Sequence, residues 1–154
     1  MMKDKAESAG GAPLAKYAAS KRVGDFVFLS GVIAVDPKAQ IIVNGFDDIP
    51  AEAANLIGRT GEFSTDFKQG PILAQSWYVL NAINEHMIRE GGSIKDVFKL
   101  VQYFKNLDHF PYYSQVRKHF FLDELPISTV VEVSGMLPSK EMLIEVEATA
   151  YLPI

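Results

Sequence analysis

The last part of the chain carries the pattern that most restricts the fold. In Met142–Tyr151 every second residue is apolar, and a period of two is typical of a β-strand with one buried face. The preceding stretch, Ser128–Val133, is rich in Thr and Val and predicts another strand. Gly135 and Pro138 supply residues that favour a turn between the two. The sequence therefore predicts a sheet whose C-terminal strands are adjacent along the chain.

Three carboxylates lie on these two strands, at Glu132, Glu145 and Glu147. One interpretation is a solvated sheet face, which composition alone favours because acidic residues are mostly exposed. The other is a carboxylate held at a cleft, which requires further residues from elsewhere in the chain. The strands alone leave both interpretations open.

The bulk properties of the chain restrict its class. A length of 154 residues is enough for one domain with a single core, and we assign it to residues 14–154. A net charge of -4 argues against a nucleic-acid partner, which would need a basic surface. The absence of Cys excludes thiol nucleophiles and thiolate metal sites, and it is consistent with a cytoplasmic protein.

Neither end of the chain suggests a membrane partner or a signal. No apolar run approaches the roughly 18 residues of a membrane span. Residues 1–13 have no apolar core of the kind that secretory signals contain, so we expect a short flexible arm there.

The first half of the chain predicts two strands and a long connection. Lys16–Ser20 is a candidate first strand, and the nearly all-apolar Phe26–Val35 predicts a strand buried on both faces. Ser30 and Gly31 interrupt it, which indicates either ligand contact or a simple bulge. Residues 44–70 are poorly periodic, with a short helix predicted at Ala51–Ile57. Such a long loop is either a lid or a plain surface excursion.

The second half predicts two helices around a strand. Pro71 is expected to open the first helix, which ends at Gly91–Gly92. Asp96–Lys105 predicts a strand, and Asp108 an N-cap for the second helix. The resulting order predicts an α+β fold with a mixed sheet and two helices packed on one face. Because several strands are apolar on both sides, the sheet face that the helices leave uncovered needs a partner. We therefore predict a symmetric oligomer.

No familiar catalytic motif is present. The three histidines are too scattered for a metal-ligand spacing, and GxSxG, Walker and GxGxxG motifs are absent. We therefore predict neither a metal nor a cofactor. Polar residues on the predicted strands remain as candidates, and spacing alone does not bring them together: Tyr17, Ser30, Ser128, Thr129 and Glu145.

Several stretches in order along residues 15–150 resemble the Rid family, the YjgF-type reactive-intermediate deaminases also known as endoribonuclease L-PSP proteins. They are Tyr17, VGDFVFLSG at 23–31, Asp36–Pro37, GGSIKDV at 91–97, NLDHF at 106–110, PISTVVEV at 126–133, Leu137–Pro138 and IEVEA at 144–148. The resemblance implies a chorismate-mutase-like fold and a homotrimer that binds a small molecule in clefts between subunits. It also implies hydrolysis of enamines or imines to a 2-oxo acid and ammonia, without a metal or cofactor.

The family's functional residues carry over in part. The resemblance implies that Glu145 positions water and that Tyr17, Ser30 and Gly31 line the cleft. The family also binds the substrate carboxylate through an Arg in its PxR[ST] motif, and this chain has Ser128 there, or Thr129 if the register shifts by one. A hydroxyl does not replace a bidentate cation.

This departure leaves three explanations: another substrate, another cation such as Arg22 or Arg59, or a cleft that only binds. The first predicted function is a deaminase for an enamine or imine other than a simple 2-imino acid. The alternatives are a non-catalytic binding or regulatory protein and, from the Tyr17–Phe26 spacing, a 2-aminomuconate-type deaminase. A ribonuclease activity is the least favoured of these functions, because the net negative charge of the chain opposes binding to RNA.

Overall fold

The alternating segment near the C-terminus lies at the centre of the sheet. The computed structural model describes residues 16–154, so the predicted arm at 1–13 lies outside the described residues. Strand β8 spans Ile144–Tyr151. Its fully buried side chains are Ile144, Val146, Ala148 and Ala150. This burial confirms the predicted alternation.

The other described strands form the rest of a mixed sheet and a small ribbon. They are β1 (Ser20–Val23), β2 (Phe26–Leu29), β3 (Val32–Ile33), β4 (Val35–Asp36), β5 (Ile41–Ile42), β6 (Val97–Phe104) and β7 (Ile127–Glu132). The main sheet has the order β1-β2-β8-β6-β7, and β3 also pairs with β8, while β4 and β5 pair with each other. Only β6 and β7 run parallel among these pairs of the described chain.

Three α-helices are present in the described residues: α1 (Ala51–Ile57), α2 (Phe63–Arg89) and α3 (Phe110–Arg117). Helix α2 packs on β8 and β3, and α3 packs against α2. The inner face of α2 belongs to the core, since four of its apolar residues are at most 2% exposed: Leu73, Leu80, Ile83 and Met87. The predicted α+β fold with helices packed against a mixed sheet is confirmed.

The start of the long helix differs from the prediction. Helix α2 begins at Phe63, so Pro71 lies inside it rather than at its first position. The Asp66 carboxylate accepts hydrogen bonds from the backbone N–H groups of Thr60 (2.9 Å) and Gly61 (2.9 Å), which holds the chain at the helix start. Pro71 lacks an N–H donor and lies two turns into the helix, beyond the first turn in which Pro is readily accommodated.

The segment 44–70 is therefore more regular than a loop. It contains a 3-10 turn at Phe46–Asp48, helix α1 and the first turns of α2. The predicted helix at Ala51–Ile57 is confirmed with the same bounds. Phe46 packs against α2 at Gly70. A Cβ added to Gly70 would lie only 3.4 Å from the Phe46 ring.

The N-terminal strands also differ from the prediction. The first strand is Ser20–Val23 rather than Lys16–Ser20, and Phe26–Val35 is divided among β2, β3 and β4. The division occurs at Ser30, whose N–H donates to the carbonyl of Ala19 (2.9 Å) instead of continuing the ladder.

The strand predicted to be buried on both faces has one open face within a single chain. Val27 and Leu29 are buried, whereas Phe26 and Phe28 are 40% and 46% exposed. The Phe26 ring lies 5.9 Å from that of Phe98 and 5.4 Å from that of Tyr151 (centroid distances). An aromatic cluster thus covers part of the sheet face away from the helices.

A buried amide joins α2 to the approach of β8. The fully buried Gln75 donates through Nε2 to the carbonyl of Glu141 (2.8 Å) and accepts through Oε1 from the N–H of Leu143 (2.9 Å). These bonds satisfy backbone groups that have left the β-ladder, and they fix where β8 begins relative to the helix.

We expect Gln75→Leu to lower the free energy of unfolding by about 1–3 kcal/mol, because a buried N–H would lose its acceptor. Urea denaturation at fixed protein concentration measures the change. Gln69→Leu in the same helix is the matched control, since Gln69 is only half-buried and makes no hydrogen bond in the described chain. Equal stabilities of the two variants would contradict the role assigned to Gln75.

Candidate functional site

Glu145 lies on the open face of the central strand, in contact with Gly31. Strand β3 pairs with β8 so that Ile33 is opposite Glu145. A Cβ added to Gly31 would overlap Oε2 of Glu145 and would lie 2.9 Å from its carboxyl carbon. Gly31 is therefore required by close approach, and the backbone of 31 forms one wall against the carboxylate.

The surroundings of Glu145 favour its protonated form. Burial raises the pKa of the Glu145 carboxyl, and the neighbouring carboxylate of Glu147 raises it further. Tyr103 of β6 is opposite Glu145 in the antiparallel register, and its hydroxyl donates to Oε1 of Glu147 (3.2 Å). A carboxylate whose pKa is raised accepts a proton more readily than an ordinary Glu does.

Ser30 connects this carboxylate to the segment that contains Tyr17. The Ser30 hydroxyl donates to the carbonyl of Ala18 (2.8 Å), while its N–H donates to that of Ala19. Tyr17, the next residue towards the N-terminus, is 48% exposed. The structure therefore gathers four predicted site residues into one region, the Glu145 cluster, which consists of Tyr17, Ser30, Gly31 and Glu145.

Ser128 and Thr129 belong to a different part of the sheet. Strand β6 separates β7 from β8, and Ser128 is opposite Leu100, which in turn is opposite Ala148. Two strand spacings are roughly 10 Å. Within one chain, the structure does not bring these residues into contact with the Glu145 cluster.

Gln102 organises the second region and places Ser128. This fully buried amide accepts through Oε1 from the hydroxyl of Tyr113 (2.6 Å) and from Nη1 of Arg117 (2.6 Å). Its Nε2 donates to Oγ of Ser128 (2.8 Å) and to the carbonyl of Thr129 (3.0 Å). All four hydrogen-bonding positions of the amide are thus used. Ser128 faces the helices, and strand alternation puts the Thr129 side chain on the opposite face.

Arg117, which the sequence analysis did not select, comes from the last turn of α3. Its Nη1 also donates to Oγ of Ser128 (3.1 Å). Its guanidinium carbon lies 5.4 Å from the ring centroid of Tyr113 and 5.6 Å from that of Phe110. A signal was present in the sequence, since Arg117 follows the inward-facing Tyr113 by four residues and so shares its helix face.

The two cations selected from the sequence have other partners. Arg22 donates through Nη1 to the carbonyls of Leu152 (2.8 Å) and Gly24 (3.3 Å). Arg59 donates through Nε to Asn55 Oδ1 (3.2 Å) and lies 3.9 Å from a carboxylate oxygen of Asp47. Both support their own local segments.

The segment 44–70 forms a surface depression of about 620 Å³. Its lining contains no residue of the Glu145 cluster, and its main lining residues are Asn44, Phe46, Asp47, Arg59, Phe63 and Phe67. Phe63 and Phe67 are 82% and 73% exposed. The lid role of this segment stays a prediction.

Two absences apply to residues 16–154. These residues contain no group of three or more His, Asp or Glu side chains placed to hold a metal ion. Within the same range, no helix has both the length and the apolar character that crossing a membrane requires.

Known proteins show the same sequence pattern. The family profile named Endoribonuclease L-PSP matches residues 50–152. A RutC family protein of Pyrococcus abyssi is 32% identical over 139 residues, which cover 90% of this chain and 88% of that protein. The 3-aminoacrylate deaminase RutC of Acinetobacter baylyi is 24% identical over 140 residues, covering 91% and 90% respectively.

Solved structures show the same fold. A Klebsiella pneumoniae protein superposes with a TM-score of 0.87 and 64% identity, covering 89% of this chain and all of that one (100%). RidA from an Antarctic Psychrobacter has a TM-score of 0.71 at 22% identity, covering 96% of this chain and 97% of that one, and supports the fold alone. On its sequence profile, its relatives and its fold, the chain belongs to the Rid (YjgF-type) family.

Proposed function

We propose that this protein hydrolyses a reactive enamine or imine to a carbonyl compound and ammonia, with Glu145 as the proton acceptor. The observation that carries the proposal is the half-buried Glu145 carboxyl, packed on the backbone of Gly31 with a raised pKa. Similarity to a 3-aminoacrylate deaminase supports the reaction class.

The chemistry needs little more than a positioned water. An enamine first takes a proton on carbon and becomes an iminium ion, whose carbon is electrophilic. Water adds to that carbon and gives its proton to Glu145, forming a carbinolamine. Glu145 returns the proton to nitrogen, and the C–N bond breaks as the hydroxyl proton passes to Glu145, so that ammonia leaves and the carbonyl forms. Glu145 then releases this proton to solvent, which balances the proton that the enamine took up from solvent. Proximity and proton transfer are the contributions that the protein makes.

We propose that the cleft forms between subunits of a homotrimer. The open sheet face carries the aromatic cluster of Phe26, Phe28, Phe98 and Tyr151, and an apolar surface of this kind favours a partner. Within one chain the Ser128 region lies two strands away from the Glu145 cluster and on the opposite face of the sheet. A neighbouring subunit that joins one region to the other would complete a single cleft.

A second candidate is a binding protein without catalysis. Ser128 favours it, because the family places an Arg at that position and a hydroxyl lacks its charge. The 2-aminomuconate-type reaction is a narrower form of the first proposal.

Glu145→Gln is expected to reduce ammonia release about 100-fold or more, because the amide does not accept the water proton. The assay generates 2-aminoacrylate, 2-iminobutyrate and 3-aminoacrylate in situ and compares each rate with spontaneous hydrolysis. No acceleration of any of them by the wild-type protein, or equal acceleration by the variant, would contradict the proposed function.

The pH dependence has a definite sign. Because burial and Glu147 raise the pKa of Glu145, its basic form is lost at a higher pH than for an ordinary Glu. The acid limb of kcat/KM is therefore expected above the usual Glu range, and Glu147→Gln should move it to lower pH. An acid limb that Glu147→Gln leaves in place would argue against this assignment.

Gly31→Ala should lower kcat/KM about 100-fold, because the added methyl displaces the carboxylate from its position. Gly135→Ala is the matched control, since a Cβ there meets no atom within 4 Å in the described chain. Steady-state kinetics and thermal denaturation separate a misplaced carboxylate from unfolding. Full activity of folded Gly31→Ala would show that this contact is dispensable.

A further inference from the structure

The Arg117 guanidinium is a half-buried cation that lacks a carboxylate partner in residues 16–154. The ion pairs in this part of the chain join Arg59 to Asp47 and His86 to Glu90. Stacking on the rings of Phe110 and Tyr113 holds the guanidinium plane in place. Burying a charge without a counter-ion is costly, so a site of this kind favours an incoming anion.

The hydrogen bonds of Arg117 leave one edge available. Nη1 is anchored by Gln102 Oε1 (2.6 Å) and Ser128 Oγ (3.1 Å). Nε and Nη2 make no hydrogen bond to any residue from 16 to 154. These two nitrogens form the edge with which Arg donates two parallel hydrogen bonds to a carboxylate. The anchor therefore orients the guanidinium without using that edge.

Arg117 lies beside an open edge of the sheet. Strand β7 is the last strand on its side of the main sheet in the described chain, and Ser128 is exposed there. Because Nη1 of Arg117 donates to Oγ of Ser128 (3.1 Å), helix α3 supplies a guanidinium at this edge.

We infer that Arg117 binds the substrate carboxylate and that the substrates are enamines or imines bearing a carboxylate. The inference rests on the proposed function for the identity of the reacting group. It removes the objection raised by Ser128, because the positive charge is supplied by another element. Gln102 and Ser128 then act as positioning residues for the guanidinium.

Product binding tests this inference without turnover. The probes are 2-oxobutyrate and acetoacetate, which carry the carboxylate next to the carbonyl carbon or one carbon further away. Each is compared with its neutral amide, 2-oxobutanamide or acetoacetamide, by calorimetric titration of the full-length protein. At least one acid should bind more tightly than its amide. Equal affinities for acid and amide in both pairs would overturn the inference.

Arg117→Gln should weaken binding of the preferred acid about 10- to 100-fold and leave its amide unchanged, because it removes hydrogen bonds to a charged group. Arg59→Gln is the matched control, since Arg59 lies in the 44–70 segment with its own partners, and it should bind the acid like the wild type. A loss shared equally by acid and amide would indicate a merely structural role for Arg117.

Arg117→Lys guards against misfolding as the explanation. Lys keeps the positive charge and can still donate to Gln102, but it lacks the two-nitrogen edge. We expect intact thermal stability with acid binding between those of the wild type and Arg117→Gln. Complete recovery of acid binding in Arg117→Lys would overturn the bidentate assignment.

Failure of this inference can be told apart from failure of the proposed function. Carboxylate binding that depends on Arg117, without any ammonia release, would sustain the inference and reject the deaminase. Ammonia release that depends on Glu145, with KM unchanged in Arg117→Gln, would sustain the deaminase and reject the role of Arg117.

Discussion

The rest of the structure depends on the alternation of β8 at the centre of the sheet. This strand has neighbours on both sides, so its register fixes β2 and β3 on one side and β6 on the other. Its apolar side chains are buried against α2, and a shift by one residue would bury Glu145 and Glu147 instead. The same constraint that builds the core therefore presents two carboxylates on the open face.

The placement of those carboxylates has an electrostatic consequence. Glu145 and Glu147 are two residues apart on one face, and burial together with the nearby Glu147 carboxylate raises the pKa of Glu145. A sheet built for stability alone would separate like charges or expose them. The cost is consistent with a site at which proton transfer is useful.

The buried amide of Gln102 couples the sheet to α3. Tyr113 and Arg117 donate to its oxygen, while Ser128 and Thr129 accept from its nitrogen, so one side chain joins β6, β7 and the helix. A fully satisfied polar network in a core holds its members in one arrangement. This is why Arg117 can occupy a fixed place although its side chain is long and flexible by nature.

The sequence by itself determined the sheet-and-helix class and the buried face of β8, because these depend on local periodicity and residue type. The choice of Glu145 among three carboxylates came from the resemblance to the Rid family. The sequence misplaced the start of α2, which begins at Phe63, where the Asp66 carboxylate binds the N–H groups of Thr60 and Gly61 just before the helix. Only the tertiary structure decided that Ser128 faces Gln102 and that the Arg117 side chain contacts both of them. Ser128 lies 26 positions after Gln102 and 11 after Arg117, and the chain passes through helix α3 before it returns to the sheet. No local sequence pattern encodes which side chains this return brings together.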